Sequence, residues 1–288
     1  MNLEHSAVVG FIGGSGLYDI EGFEDVTMID METPFGTPSD RIAVGTLRGI
    51  RVAFLPRHGR GHRFSPSEIN YRANIWAMKR LGVRYLVSIS AVGSLREELE
   101  PAHFLIPDGL VDWTRQRAGS FYGDGAVGHV SMADPYCRSL SEIVAGVCSS
   151  AGAEVHLGGT YICIEGPQFS TRAESKLYRS WGMDIIGMTN AQESKLSREA
   201  GICFSTIALI TDYDVWHQAE DVSVEAVLRT LARNIATVKS AVAGLCETVA
   251  ALDDGEKCSC CAGVSECIMT ADDMITSDAA ARLEIFRT

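Results

Sequence analysis

The run Ile202-Cys-Phe-Ser-Thr-Ile-Ala-Leu-Ile210 leads directly into Thr211-Asp-Tyr-Asp-Val-Trp216, and that junction decides how the chain is read. An almost continuously apolar run of this length predicts a buried strand of an open α/β sheet. Asp212 and Asp214 then stand at i and i+2 on the strand's exit, where small-molecule sites of such sheets form. An ionised carboxylate only accepts hydrogen bonds, whereas a protonated one also donates. Burial and mutual repulsion raise the pKa of one member of such a pair. A 6-aminopurine calls on both states, with an exocyclic NH2 that needs an acceptor and an N7 that needs a proton as the base leaves. The plain alternative is an N-cap or a solvated loop pair, and the rest of the chain decides between them.

Apolar runs of strand length recur at 7–12, 41–47, 51–55, 84–89, 160–164 and 184–188. Helical segments interleave with the later ones, which predicts a mixed α/β sheet. Ser65-Pro66-Ser67-Glu68 reads as a capping box opening a helix that ends near Gly82. Thr171-Arg-Ala-Glu174 opens a second helix, stopped by Gly182, and Asn190-Ala-Gln-Glu193 a third, stopped by Gly201. In the third, capping accounts for Glu193. From about Val222 a long helix carries Val224, Val227, Leu228, Leu231, Ile235, Val238, Val242, Leu245 and Val249 at three- and four-residue spacing. Asp253-Asp254-Gly255 breaks that pattern. Residues 1–255 are therefore expected to form the main domain, and 256–288 a cysteine-bearing extension that is not an independent domain, with one helix candidate over 272–286.

The apolar fraction of 46% and charged fraction of 22% are those of an ordinary soluble globular chain. A net charge of −12 with no long run of Lys or Arg excludes a basic stripe for nucleic acid. An anionic ligand would have to be held by local positive groups. The acidic start and the short apolar run after it do not resemble a signal peptide, and no stretch approaches a membrane span. A cytoplasmic location is expected, with no membrane or nucleic-acid partner and cysteines that are mainly reduced.

Several segments at strand ends carry chemistry. Gly13-Gly14-Ser15-Gly16 allows close approach of an anion to the backbone, although a tight turn explains it equally well. Arg57-His58-Gly59-Arg60-Gly61-His62 concentrates guanidinium and imidazole groups among glycines, a composition suited to a phosphate. Ser88-Ile-Ser90-Ala91-Val-Gly93-Ser94 offers small and hydroxyl residues, or simply a cap. In Glu165-Gly-Pro-Gln-Phe169-Ser170 the aromatic ring could stack on a base, although a buried phenylalanine is commoner. Gly187-Met188-Thr189-Asn190 joins a strand to a helix start, a natural place for an anion or a sugar hydroxyl. His129 lies in a glycine-rich loop, with no preference between a ligand contact and solvent.

Taken together and in order, seven segments resemble the trimeric purine nucleoside phosphorylases, and within them the 5′-methylthioadenosine phosphorylases. They are Ile12-Gly-Gly-Ser-Gly-Leu17, Pro56-Arg-His-Gly-Arg60, Asn70-Tyr-Arg-Ala-Asn-Ile-Trp76, Gly93-Ser-Leu-Arg96, Glu165-Gly-Pro-Gln-Phe-Ser170, Gly187-Met-Thr189 and Thr211-Asp-Tyr-Asp-Val-Trp216. The similarity spans roughly residues 7 to 250. It implies a central mixed sheet partly closed into a barrel and flanked by helices, in a homotrimer. It also implies phosphorolysis of a purine nucleoside with inorganic phosphate as co-substrate and neither cofactor nor metal. By position, Ser15, Arg57, His58, Ser90, Ala91 and Thr189 are implied to hold phosphate, and Met188 the ribose. Phe169, Ser170, Asp212 and Asp214 are implied to hold the base. Val224 and Val227 are implied to line the 5′ pocket, with His129 reaching in from a neighbouring subunit.

On this reading Asp212 assists the leaving purine at N7 and Asp214 accepts from the 6-amino group. Relatives that prefer 6-oxopurines carry Asn at the first of these positions. A 6-oxo lone pair against a buried carboxylate would cost about 2 to 4 kcal/mol. An apolar 5′ pocket favours methylthio over hydroxyl more weakly, about a hundredfold. The expected reaction converts 5′-methylthioadenosine to adenine and 5-methylthioribose 1-phosphate. The alternatives are a broader adenosine or 5′-deoxyadenosine phosphorylase, a non-catalytic nucleoside-binding protein and, more remotely, a dinucleotide-binding oxidoreductase. Two features depart from the family pattern. Gln192 stands where close relatives usually have proline, and the tail carries Cys258, Cys260, Cys261 and Cys267. That tail resembles the Cys-x-Cys ending of archaeal members, in which disulfides occur, and Cys137 and Cys203 also fall where those relatives have cysteines. Unpaired thiols, a local disulfide and a metal all remain open, although a metal would suit more regular Cys-x2-Cys arms.

Overall fold

The computed structural model describes residues 6–14, 20–217, 224–252, 258, 260 and 265–286. The decisive strand forms as expected. β11 spans Cys203–Asp212 and is buried throughout except at its last residue. It pairs in parallel with β5 (Tyr85–Ser94) and antiparallel with β6 (Phe104–Ile106). β5 is the hub, because it also pairs in parallel with β1 (Val9–Gly13) and, at its end, antiparallel with β10 (Ile185–Gly187). Beyond β1 follow β4 (Ile50–Pro56), β3 (Ile42–Leu47) and β2 (Phe23–Ile29). Beyond β10 lie β9 (Thr160–Ile164) and β7 (Gly109–Trp113), while β6 also pairs with β8 (Val155–Leu157). The result is one mixed sheet of 11 strands that forks at β5, with no hydrogen-bonded closure into a ring among the described residues.

Successive strand residues point to opposite faces, and here the two faces feed separate cores. Phe11 and Ile207 join α2 (Arg138–Ser150) and α5 (Val224–Ala250) through Val144, Val238, Val242 and Leu245. Ile12 and Phe204 join α1 (Tyr71–Arg80) and α4 (Asn190–Glu199) through Ile75, Met78 and Leu196. With both faces covered, backbone ends and ligand groups are presented at the strand termini. Among the described residues no helix is long and apolar enough to cross a membrane.

Two expectations need correction. Ser65-Pro66-Ser67-Glu68 does make the carboxylate bonds of a capping box, but it closes only a turn. The helix starts five residues later than Pro66, at Tyr71, with Asn70 accepting from the Ala73 NH. α3 (Arg172–Ser180), by contrast, carries the full capping box at Thr171 and Glu174. The tail helix is broken into a 3-10 turn at Asp272–Met274, α6 (Ser277–Leu283) and a second turn at Glu284–Phe286. That segment packs back on the main body, with Phe286 4.6 Å from Phe121 between ring centroids and the Trp76 indole NH donating to the Arg282 carbonyl.

Candidate active site

β5 and β11 run in register until Asp212 lies beside Gly93, after an irregularity between Ile210 and Asp212. Such a break re-aims side chains at a strand end. A Cβ on Gly93 would lie 3.0 Å from Asp212 Oδ1, 3.1 Å from Ile186 and 3.4 Å from the Asp214 Cβ, so the carboxylates crowd a position that only glycine leaves open. Asp212 Oδ2 accepts from the Thr211 hydroxyl at 2.7 Å and Oδ1 accepts from the Asp214 NH at 2.9 Å. Asp214 sits in the left-handed region at φ 49°, which Asp tolerates better than most residues. Its Oδ2 is buried with no hydrogen-bond partner among the described residues. Burial lifts the Asp214 carboxyl to about 6, although the Ser175 hydroxyl and the Val215 NH pull it down. Burial also raises Asp212, against hydrogen bonds from Thr211 and Asp214. The pair is therefore a half-buried acid held by its own turn beside a buried acid with an unpartnered oxygen.

The turn after β11 is fixed from outside. Trp216 Nε1 donates to the Ser94 carbonyl at 2.8 Å, Arg172 donates to the Val215 carbonyl, and the Arg179 guanidinium lies 3.4 Å over the Trp216 ring. Ser170 places a buried hydroxyl with no hydrogen-bond partner among the described residues. Phe169 is 45% exposed, so its ring is not part of the core.

The cationic loop behaves differently from a simple phosphate fork. Arg57, 3% exposed, donates from Nε to Glu193 Oε1 at 2.5 Å and from Nη2 to Oε2 at 3.0 Å and to the Ser88 hydroxyl at 2.7 Å. It also reaches the carbonyls of Ile89 and Ile12, so it ties the ends of β1 and β5 to α4. Burial opposes its charge, but the Glu193 carboxylate more than offsets this and raises its pKa. Glu193 is thus not a cap, as the sequence reading had it. α4 begins after Thr189, which makes no side-chain capping bond, and Glu193 spends its carboxylate on Arg57 and Ser88. His58 faces the Phe64 carbonyl through Nδ1 at 2.8 Å, so that nitrogen carries the ring proton. Burial and the neighbouring Arg57 charge push its pKa down to about 4.

Sequence reasoning missed the group that joins these parts. Arg117, with a side chain 1% exposed, pairs with Glu165 at 3.2 Å and donates to the carbonyls of Met188 and Glu165. It also donates to Gln192 Oε1 at 3.2 Å, while Gln192 Nε2 donates to Thr114 Oγ1 at 2.8 Å. Gln192 therefore uses its side chain to join Arg117 to Thr114 in the scaffold that also holds the Met188 carbonyl. No local pattern marks Arg117, which follows Arg115 in a loop with nothing to set it apart. Tyr161 was likewise unseen, although a Cβ on Gly187 would fall 1.9 Å from its hydroxyl, and that forces glycine just before Met188.

The remaining predicted residues fall as follows. Ser90 and Thr189 are buried and Ala91 is exposed, all at strand or helix ends on this side of the sheet. Val227 is half-buried on α5. Ser15 and the Val224 side chain lie outside the described residues. His129 is exposed, its backbone NH donating to the Cys267 carbonyl. The structure thus brings Arg57, Ser88, Glu193, Gly93, Asp212 and Asp214 to the ends of β1, β4, β5 and β11, where open sheets bind ligands.

The model of the phosphorylase superfamily matches residues 8–247, and the chain belongs to that superfamily. Within it the relatives point to one branch. A Geobacter sulfurreducens protein named S-methyl-5′-thioadenosine phosphorylase is 51% identical over 280 residues, covering 96% of this chain and 97% of its own. A crystal structure of a methylthioadenosine phosphorylase from an antarctic soil metagenomic library superposes with a TM-score of 0.93 at 45% identity, covering 98% and 99% of the two chains. A methylthioadenosine phosphorylase from Schistosoma mansoni, in complex with adenine, gives a TM-score of 0.82 at 36% identity, covering 86% and 93%.

Proposed function

We propose that the chain carries out phosphorolysis of 5′-methylthioadenosine, giving adenine and 5-methylthioribose 1-phosphate. The observation that carries this reading is the Asp212 and Asp214 pair, two carboxyls of raised pKa against Gly93 at the end of β11. A phosphate oxygen attacks C1′ while the C1′–N9 bond breaks and its electron pair leaves with the purine. The phosphate anion stabilises the oxocarbenium-like charge at the sugar. We place Asp212, whose pKa burial raises, at N7, where it serves the proton or hydrogen bond that lets the base leave as neutral adenine. Asp214 Oδ2 accepts from the 6-amino group, which gives that oxygen the partner it lacks among the described residues.

On the other side we assign phosphate to Ser15, Arg57, His58, Ser90, Ala91 and Thr189. The start of α4 supports this, since helix N-termini attract anions. Glu193 holds Arg57 in place through Nε and Nη2, while Nη1 donates to the Ile89 carbonyl, so the guanidinium charge is fixed at the ends of β1 and β5. Met188 meets the ribose from a segment fixed by Arg117. Phe169 and Ser170 face the base, and Val224 and Val227 line the 5′ pocket. His129 completes that pocket from a neighbouring subunit of a homotrimer in the cytoplasm. Phosphate is the co-substrate, and the chemistry calls for no further cofactor.

The test is base release from 5′-methylthioadenosine, adenosine and inosine, each with and without phosphate. The reading requires phosphate-dependent adenine release, fastest from methylthioadenosine, with negligible hypoxanthine from inosine. Release mainly from inosine, or none from any substrate, overturns it.

A further inference from the structure

We propose that Cys137, Cys203, Cys258 and Cys260 form a tetrathiolate zinc site that fastens the C-terminal extension to the sheet. Their four sulfurs all lie within 4.8 Å of one another, and those of Cys137 and Cys258 are 3.5 Å apart. A tetrahedral zinc with Zn–S bonds of about 2.3 Å needs sulfur–sulfur separations of about 3.8 Å. The cluster is therefore already close to the coordination polyhedron.

Two ligands belong to the rigid frame. Cys137 caps α2 and its NH donates to the Phe204 carbonyl at 2.7 Å, while Cys203 opens β11 with its NH on the Arg84 carbonyl at 2.9 Å. The other two come from the chain beyond α5 as a Cys-x-Cys pair. The sequence argument against a metal looked for two regular arms, but here the frame supplies one half of the site from residues 66 positions apart (203 − 137). Cys137, Cys203 and Cys260 are 3%, 2% and 8% exposed. A four-sulfur set with three buried members and a half-buried Cys258 suits a structural zinc, whose four positions are all taken by protein, rather than a catalytic one with an open position. Soft thiolates also favour zinc over magnesium or calcium. The tetrathiolate complex would carry two negative charges, and Arg198 stands close enough to act on Cys260.

Position separates this site from the chemistry. Cys203 and Asp212 are the first and last residues of β11, about 30 Å apart at roughly 3.3 Å per residue. The metal would hold the extension in place, whose later part covers Trp76 and Phe121.

The experiment is elemental analysis and intact mass of the full chain, purified under reducing conditions without chelator and then supplied with zinc or with cobalt. We expect about one zinc per chain, and with cobalt the intense thiolate-to-metal absorption of a sulfur-rich tetrahedral site. In the double variant Cys258→Ser, Cys260→Ser both signals should be lost, while methylthioadenosine turnover stays within about twofold, since the pair is remote from the site. A chelator should lower the melting temperature of the wild type and leave the variant unchanged. The proposal is overturned if the chain takes up neither metal, if iron replaces zinc, or if the mass shows these cysteines joined as disulfides.

Discussion

Replacing Glu193 by Gln tests the account of the phosphate side most severely. In the wild type one carboxylate takes Arg57 Nε, Arg57 Nη2 and the Ser88 hydroxyl, at 2.5, 3.0 and 2.7 Å. Glutamine keeps one acceptor oxygen but turns the other into a donor facing donors. It also leaves the Arg57 charge, 3% exposed, without its counter-ion. Removing one partner of a buried ion pair costs about 3–5 kcal/mol. At roughly 2 °C per kcal/mol for a chain of this size, the melting temperature should fall by about 6–10 °C. Phosphate, arriving as an anion beside the stranded guanidinium, should recover part of that loss, so it should raise the variant's melting temperature more than the wild type's. The assay is thermal unfolding at several phosphate concentrations, alongside the KM for phosphate. A variant that melts with the wild type and responds equally to phosphate would refute both the ion pair's role and its link to the anion site.

Two further outcomes follow from the titrating groups. Asp214 has a folded pKa of about 6 against 3.8 for an ordinary Asp, because burial disfavours its charge. The folded state therefore holds the extra proton between these values, and this group's contribution to stability is present at low pH and lost as pH rises through about 6. As an acceptor for the 6-amino group it must be ionised, so kcat/KM for methylthioadenosine should rise between pH 5 and pH 7 with an inflection near 6. In Asp214→Asn that limb should vanish, and a persisting limb would assign it elsewhere. His58, held down to about 4 by burial and Arg57, is neutral at pH 7. An incoming dianion favours its charged form, so phosphate binding should take up protons and weaken as pH rises. Calorimetry in buffers of different ionisation enthalpy reads this uptake, which should be smaller in His58→Asn; equal uptake in both proteins would remove His58 from the site.

Much of this architecture was legible because burial leaves a compositional trace. The runs that became β1, β3, β4, β5, β9, β10 and β11 are apolar enough to mark themselves, and the strand exits carried the charged motifs. The missed strands are those without such a trace. β2 has exposed residues through its middle, from Glu24 to Thr27, β7 is only half-buried with its last residue exposed, and β6 and β8 are only three residues long. Their pairing is set by neighbours rather than by local pattern. The same limit operated in the site. Asp212 and Asp214 stand at i and i+2 and could be read as a pair, whereas Arg57 and Glu193 are 136 residues apart and Glu193 had a sufficient local explanation as a cap. Arg117 had no local signal at all, because its contacts come from Ser67, Tyr71, Ile164, Glu165, Met188 and Gln192. The four cysteines were each singled out in the sequence, but their meeting in one cluster comes only from the fold.

The central claim is that the Asp212 and Asp214 pair reads the 6-position of the purine. Its most direct test is the ratio of kcat/KM for 5′-methylthioadenosine to that for its 6-oxo counterpart, 5′-methylthioinosine, in the wild type and in Asp212→Asn. At a mismatch of about 2 to 4 kcal/mol, the change from a carboxylate to an amide should lower this ratio by about a hundredfold. A ratio that stays the same in the variant, with activity lost equally on both substrates, would show that Asp212 serves the reaction without reading the base.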